Sequence, residues 1–126
     1  MTRNRLGLFR RLLPLVLASL ATPAPAADAA RGGQLYEQRC GACHSLDANR
    51  VGPMHRGVFG RRAGTVAGYD YSGALSHATI VWNDQTLEAW LRDPEALIPG
   101  QRMGYRVAEA TDRADLIAYL RQVSGQ

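Results

Sequence analysis

The pentapeptide CGACH, residues 40–44, contains both cysteines of the chain and one of its three histidines. Four chemistries use such a cluster: a disulfide staple, part of a zinc site, a redox dithiol, or the covalent anchor of a cofactor. They differ in what must surround them. A structural zinc site takes four ligands, and the chain holds no second cysteine pair. A thioredoxin-like dithiol follows a strand, whereas residues 31–39 read as a helix with Leu35 and Tyr36 as its apolar contacts. The pentapeptide by itself leaves a Cys40–Cys43 disulfide and a cofactor anchor both open.

Upstream, Arg3, Arg5, Arg10 and Arg11 lead into an apolar run from Leu12 to Ala21, and APA at Ala24–Ala26 offers small residues around a cut. That order is the order of a secretory signal peptide. A spanning helix needs roughly 20 apolar residues, and this shorter run also contains Pro14. The expected division is therefore a leader over 1–26 and one domain over 27–126, exported to the periplasm. Charge changes with it. The 126-residue chain carries 15 arginines, no lysine and 11 acids, for a formal net charge of +4. Four of the arginines and none of the acids lie in 1–26, so the processed domain has eleven of each and is formally neutral. A nucleic-acid surface loses its support, because no basic patch with interleaved aromatics remains. Arg50, Arg56, Arg61 and Arg62 cluster, but in a stretch that reads as solvated loop.

Three segments of the domain pattern as helices: 31–39, 84–92 and 112–123. Asn83 or Asp84 is the start signal of the second and Pro94 its stop; Thr111 is the N-cap candidate of the third. A short helix near 72–77 is compatible with the pattern. Between them, 45–71 and 93–110 are rich in glycine and proline and show no sustained alternation. Irregular stretches of that length are uncommon in a compact domain unless something besides secondary structure organises them. About 100 residues also make only a small core. A large apolar cofactor at the centre answers both difficulties.

C-x-x-C-H is the attachment signature of c-type haem. Cys40 and Cys43 stand one helical turn apart, so both thiols can bond the two vinyl-derived carbons on one edge of a porphyrin. His44 follows directly and is held against one face of the iron as the proximal ligand. For the other face, Met103 in LIPGQRMGY is the candidate, a soft thioether that favours Fe(II). Met54, His55 and His77 are its rivals, with His77 in a polar stretch that reads as surface.

Six stretches, GGQLYEQRCGACHS, VGPMHRGVFGRRAG, GYDYSGAL, VWNDQTLEAWLRDP, IPGQRMGY and DRADLIAYL, follow one another through the domain. In this order and spacing the chain resembles the class I cytochromes c, the mitochondrial type and its short bacterial relatives. The resemblance implies an all-α fold, three main helices and large loops around one covalently bound haem c. It implies Met103 as distal ligand and a Pro53 carbonyl on the Nδ1–H of His44. It also implies Tyr71, Trp82 and Arg61 near the haem propionates, and Gly32 and Tyr36 meeting Leu116 and Tyr119 where first and last helices cross.

The departures from that pattern concern the surroundings of the iron. His55 stands where the family usually has leucine, and the expectation is a neutral, repacked side chain. Trp90 replaces a tyrosine, and indole can only donate a hydrogen bond. Leu75 stands for asparagine and Gln101 for threonine. The family's lysine ring is absent, so Arg50, Arg56, Arg102 and Arg106 can substitute only in part, and a neutral domain steers less strongly to acidic partners.

The expected function is one-electron transfer by a soluble periplasmic carrier rather than an enzyme, monomeric, with a His/Met-ligated haem. Its partners would be a respiratory complex, an oxidase or a dehydrogenase. Membrane association follows only from an uncleaved leader. A cytochrome subunit of a periplasmic dehydrogenase would have nearly the same sequence. A five-coordinate peroxidase or sensor would require Met103 to leave the iron.

Overall fold

The computed structural model describes residues 22–126, so the leader expected over 1–26 lies for the most part outside the described residues. Five helices follow in chain order: α1 (Ala29–Arg39), α2 (Gly73–Ser76), α3 (Asp84–Arg92), α4 (Pro94–Leu97) and α5 (Ala110–Gln122). Among the described residues there is no strand; Arg62 and Val81 form one isolated antiparallel bridge.

Caps set the boundaries. The Asp28 carboxylate accepts from the Ala30 and Arg31 amides at 2.9 and 3.0 Å, which starts α1 two residues before its apolar pattern begins. Asn83 and Thr86 form a reciprocal capping box at the start of α3. Pro94 does more than stop α3. It occupies the first turn of α4, where a missing N–H costs nothing, and Asp93 caps the Ala96 amide at 3.2 Å. One helical turn therefore lies inside the stretch expected to be irregular. The expectation for Thr111 fails: α5 starts at Ala110 behind Glu109, which makes no side-chain cap, and Thr111 falls within the first turn.

Tertiary contacts explain that start. Arg113 of α5 is buried and donates to the Val107 and Ala108 carbonyls at 2.8 and 2.6 Å and to Glu88 of α3 at 2.9 Å. Asp112 accepts an ion pair from Arg31 and another from Arg39 of α1, the second at 2.9 Å. These bonds fix the first turn of α5 without a capping hydroxyl. A carboxylate there also suits the positive end of the helix dipole.

The crossing of α1 and α5 closes the fold. A Cβ on Gly32 would stand inside the Asp115 carbonyl and 3.0 Å from Tyr119 Cβ, so only glycine lets the two backbones approach this far. The Tyr36 and Tyr119 rings pack beside them with centroids 5.4 Å apart. Gly32→Ala must push one helix off the other. Overpacking costs about 1–3 kcal/mol, and with rigid backbone as the obstacle the expected loss is about 3 kcal/mol in a denaturant titration.

Acid acts on the same crossing. The Asp115 carboxylate accepts the Asp28 amide at 2.7 Å and the Arg31 guanidinium at 2.6 Å. These bonds, the amide first, hold it below its ordinary value of 3.8. A group depressed on folding contributes stability above its unfolded pKa and loses it as pH falls through the folded one. Urea midpoints of the wild type and Asp115→Asn should therefore differ at pH 6 and draw together only as pH falls below 3.8 and through the depressed folded value.

Apart from that crossing, the core runs through Trp82 ahead of α3, then Leu87, Trp90 and Leu91 on α3, and Leu116 and Leu120 on α5. The loops 40–72 and 98–109 do not fill the space in front of these residues. They wall it.

Candidate functional site

The walls enclose a cavity of about 850 Å³. All eight residues expected at a site, Cys40, Cys43, His44, Pro53, Arg61, Tyr71, Trp82 and Met103, line it. Met54 and His77 do not; His77 lies exposed outside, its Nδ1 2.7 Å from the Gly73 carbonyl. Residues that sequence reasoning did not single out as site residues also contribute. Val58, Leu87 and Leu91 form apolar wall, and Gly52 and Tyr36 flank the histidines. A Gly-Pro pair after the cysteine motif was the only available signal for Gly52.

The cysteines sit on a tight turn at the end of α1. Cys43 and His44 donate their amides to the Cys40 carbonyl at 3.0 and 2.8 Å. Both thiols are free; Cys40 is half-buried and Cys43 exposed. Burial pushes the Cys40 thiol up to about 11, against the pull of Arg39. Among the described residues no three His, Cys, Asp or Glu side chains converge on a metal-sized point.

The His44 ring is held on several sides. Its Nδ1 lies 2.8 Å from the Pro53 carbonyl. A carbonyl can only accept, so Nδ1 carries the proton and the lone pair of the neutral ring is on Nε2. Burial lowers the His44 pKa, outweighing the Pro53 bond. A Cβ on Gly52 would lie within 2.6 Å of Cε1, Nδ1 and Nε2 of His44 at once, a point over the ring rather than beyond its edge. The His55 ring stacks on His44 with centroids 4.0 Å apart and planes at 20°. His55 Nδ1 in turn meets the Tyr36 hydroxyl at 3.1 Å. Burial first, then the neighbouring charges of His44 and Arg61, lowers the His55 pKa well below its ordinary value.

Met103, also on the cavity wall, sits in a loop pinned at both ends. Glu95 accepts the Gly100 amide at 2.9 Å and the Gln101 side chain at 3.2 Å, and the Val107 amide donates to the Leu91 carbonyl at 2.8 Å. Gly100 at φ 89° supplies the left-handed turn that an L side chain would resist. Trp82 packs edge-on against Trp90 with centroids 5.3 Å apart, and the Tyr71 hydroxyl accepts the Val66 amide at 3.2 Å.

Arg61 carries a charge with no carboxylate on it among the described residues. Its guanidinium donates to the Arg56 and Met54 carbonyls, both at 3.0 Å, and burial lowers its pKa. A half-buried cation is costly without a counter-charge, so the site suits a ligand that brings an anionic group to Arg61. The remaining demands agree with one another. The apolar wall asks for a large, flat, apolar body. Two free thiols, an imidazole with an available Nε2 and a thioether all line the one cavity. A haem with its carboxylates meets all of these.

Comparison with known proteins is consistent with that set. The family model for cytochrome c matches residues 29–124. The chain is 42% identical to cytochrome c2 of Blastochloris viridis over 111 residues, covering 85% of this chain and 87% of the relative. It is 45% identical to cytochrome c of Euglena viridis over 97 residues, 75% of this chain and 95% of that one. Among solved structures, cytochrome cH from Methylobacterium extorquens superposes with a TM-score of 0.72 at 37% identity, covering 76% of this chain and 99% of its own.

Proposed function

This chain belongs to the cytochrome c family, and on that premise we propose that it is a soluble periplasmic electron carrier with a single His/Met-ligated haem. The fold is that of a class I cytochrome c, and haem c is its cofactor. When bound, the group supplies one-electron chemistry between Fe(III) and Fe(II).

The chain's own residues do the rest. Cys40 and Cys43 hold the group by thioether bonds on one edge. His44 presents Nε2 as the proximal donor because the Pro53 carbonyl occupies the other nitrogen. Met103 is the distal donor, and its thioether favours the reduced state. Arg61, with Tyr71 and Trp82, receives the haem carboxylates. Burial among Val58, Leu87, Leu91 and Leu116 keeps water from the iron and raises the cost of the extra charge on Fe(III). With His44 and Met103 both given to the iron, oxygen or a substrate would find no open site, and the edge near exposed Cys43 would be the one a partner can reach.

The processed domain begins at Ala27 in this reading, and its redox partners are proteins that dock on that edge. The observation that carries the function is His44 and Met103 on the walls of one cavity, with the Nε2 lone pair of His44 left available.

The test is the visible spectrum of the exported protein, oxidised and reduced, with and without carbon monoxide. A low-spin haem c spectrum with a weak long-wavelength sulfur-to-iron band and no response to the gas is expected. A high-spin spectrum or ready gas binding would take Met103 off the iron and overturn the carrier reading.

A further inference from the structure

Two neighbours crowd the His44 ring. A Cβ on Gly52 would lie over its Cε1–Nδ1–Nε2 edge, so the Gly52 backbone itself backs the ring there. The His55 ring stacks on it, 4.0 Å away and within 20° of parallel. A flat ring 4 Å from another resists rotation of either one about its own Cβ–Cγ bond, because rotation drives edge atoms into the neighbouring face. An aliphatic side chain at 55 would offer no such plane.

His55 is itself held. The Tyr36 hydroxyl meets its Nδ1 at 3.1 Å, and the Tyr36 ring packs edge-on at 5.6 Å between centroids. Tyr36 is 3% exposed and wedged against Tyr119 of α5. Its backbone carbonyl accepts the amides of Cys40 and Gly41 at 2.8 and 3.0 Å. One residue thus ties the turn that carries the cysteines to the ring stacked on His44.

We propose that His55 is a positioning residue: its ring, locked by the Tyr36 hydroxyl, fixes the rotational angle of the His44 imidazole plane. The proposal rests on the reading of His44 as the proximal ligand. That angle decides how the imidazole π orbitals overlap the iron d orbitals. In the bound haem it would therefore help to set, together with the Met103 thioether, the magnetic axes of the oxidised state, whatever the stability of the fold. The Gly52 and Pro53 contacts limit where the ring can go, and the His55 stack selects one orientation within that limit.

The test uses the oxidised holoprotein and reads the hyperfine-shifted haem-methyl proton resonances together with the g values. In His55→Leu the four methyl shifts should redistribute and the largest g value move or broaden, while the spectrum stays low-spin with haem attached. Tyr36→Phe keeps the stacked ring and removes its tether, so it should shift the same resonances in the same direction and by less. Should His55→Leu fail to yield holoprotein, Tyr36→Phe carries the test alone.

Unchanged methyl shifts and g values in a correctly folded, low-spin variant would overturn the positioning role and leave the ligand assignment intact. A wild-type protein that is not low-spin would instead overturn the ligand reading beneath it. A change in thermal stability with no change in the magnetic signature would reduce His55 to packing, and would also overturn the proposal.

Discussion

The chain without its cofactor, prepared as the Cys40→Ala/Cys43→Ala double variant, is expected to be largely unfolded, with little helix in far-ultraviolet circular dichroism and no cooperative transition. The magnitude decides this. Residues that form the core, Trp82, Leu87, Trp90, Leu91, Leu116 and Leu120, are also residues that line the cavity of about 850 Å³. Burying a large apolar side chain contributes about 1.5–3 kcal/mol, so water admitted among these six puts at risk as much as the roughly 5–15 kcal/mol by which whole domains are stable. A cofactor-free chain that melts cooperatively with native helix content would refute the reading of this space as a cofactor's.

Gly52→Ala should be nearly as damaging for a different reason. The glycine has an ordinary backbone conformation, so the substitution carries no torsional penalty; the obstacle is the His44 ring. A methyl within 2.6 Å of three ring atoms forces the imidazole to swing, and that swing breaks the 2.8 Å bond to Pro53 and collides with His55. The yield of low-spin holoprotein should fall at least tenfold, and what survives should bind carbon monoxide. A normal yield and an unaltered spectrum would mean that the loop 50–54 yields easily and that His44 is not clamped.

Much of this was legible in the sequence because it depends on local chemistry. The spacing of Cys40, Cys43 and His44 is set by one turn of chain. The apolar repeat Leu87, Trp90 and Leu91 marks α3 with its cap at Asn83. The glycine-rich stretches announced loops too long to be idle, and those loops are the cavity walls. What escaped depends on residues distant in the chain. Thr111 has the chemistry of a cap, yet α5 starts before it because Arg113 and Asp112 are bound to α3, α1 and the 107–108 carbonyls. Pro94 read as a stop and proved also to be a start. His55 stood out as an unusual residue, but its partners come from two other parts of the chain, and no periodicity brings Tyr36 and His44 to it.

The contact between α1 and α5 bears on the timing of assembly. A domain whose first helix is closed by its last cannot finish its core until the final residues are present, because the contact that joins its two ends spans nearly the whole domain. The cysteine turn lies directly behind the first helix, so it leaves any exporting channel long before its closing partner does. Whatever machinery joins the cofactor to Cys40 and Cys43 therefore meets a chain that is still open, with both thiols reachable and the crossing at Gly32 not yet made. Cys40, half-buried afterwards, is most accessible in that interval. Attachment belongs before closure, and the last helix then shuts the fold over bonds already made.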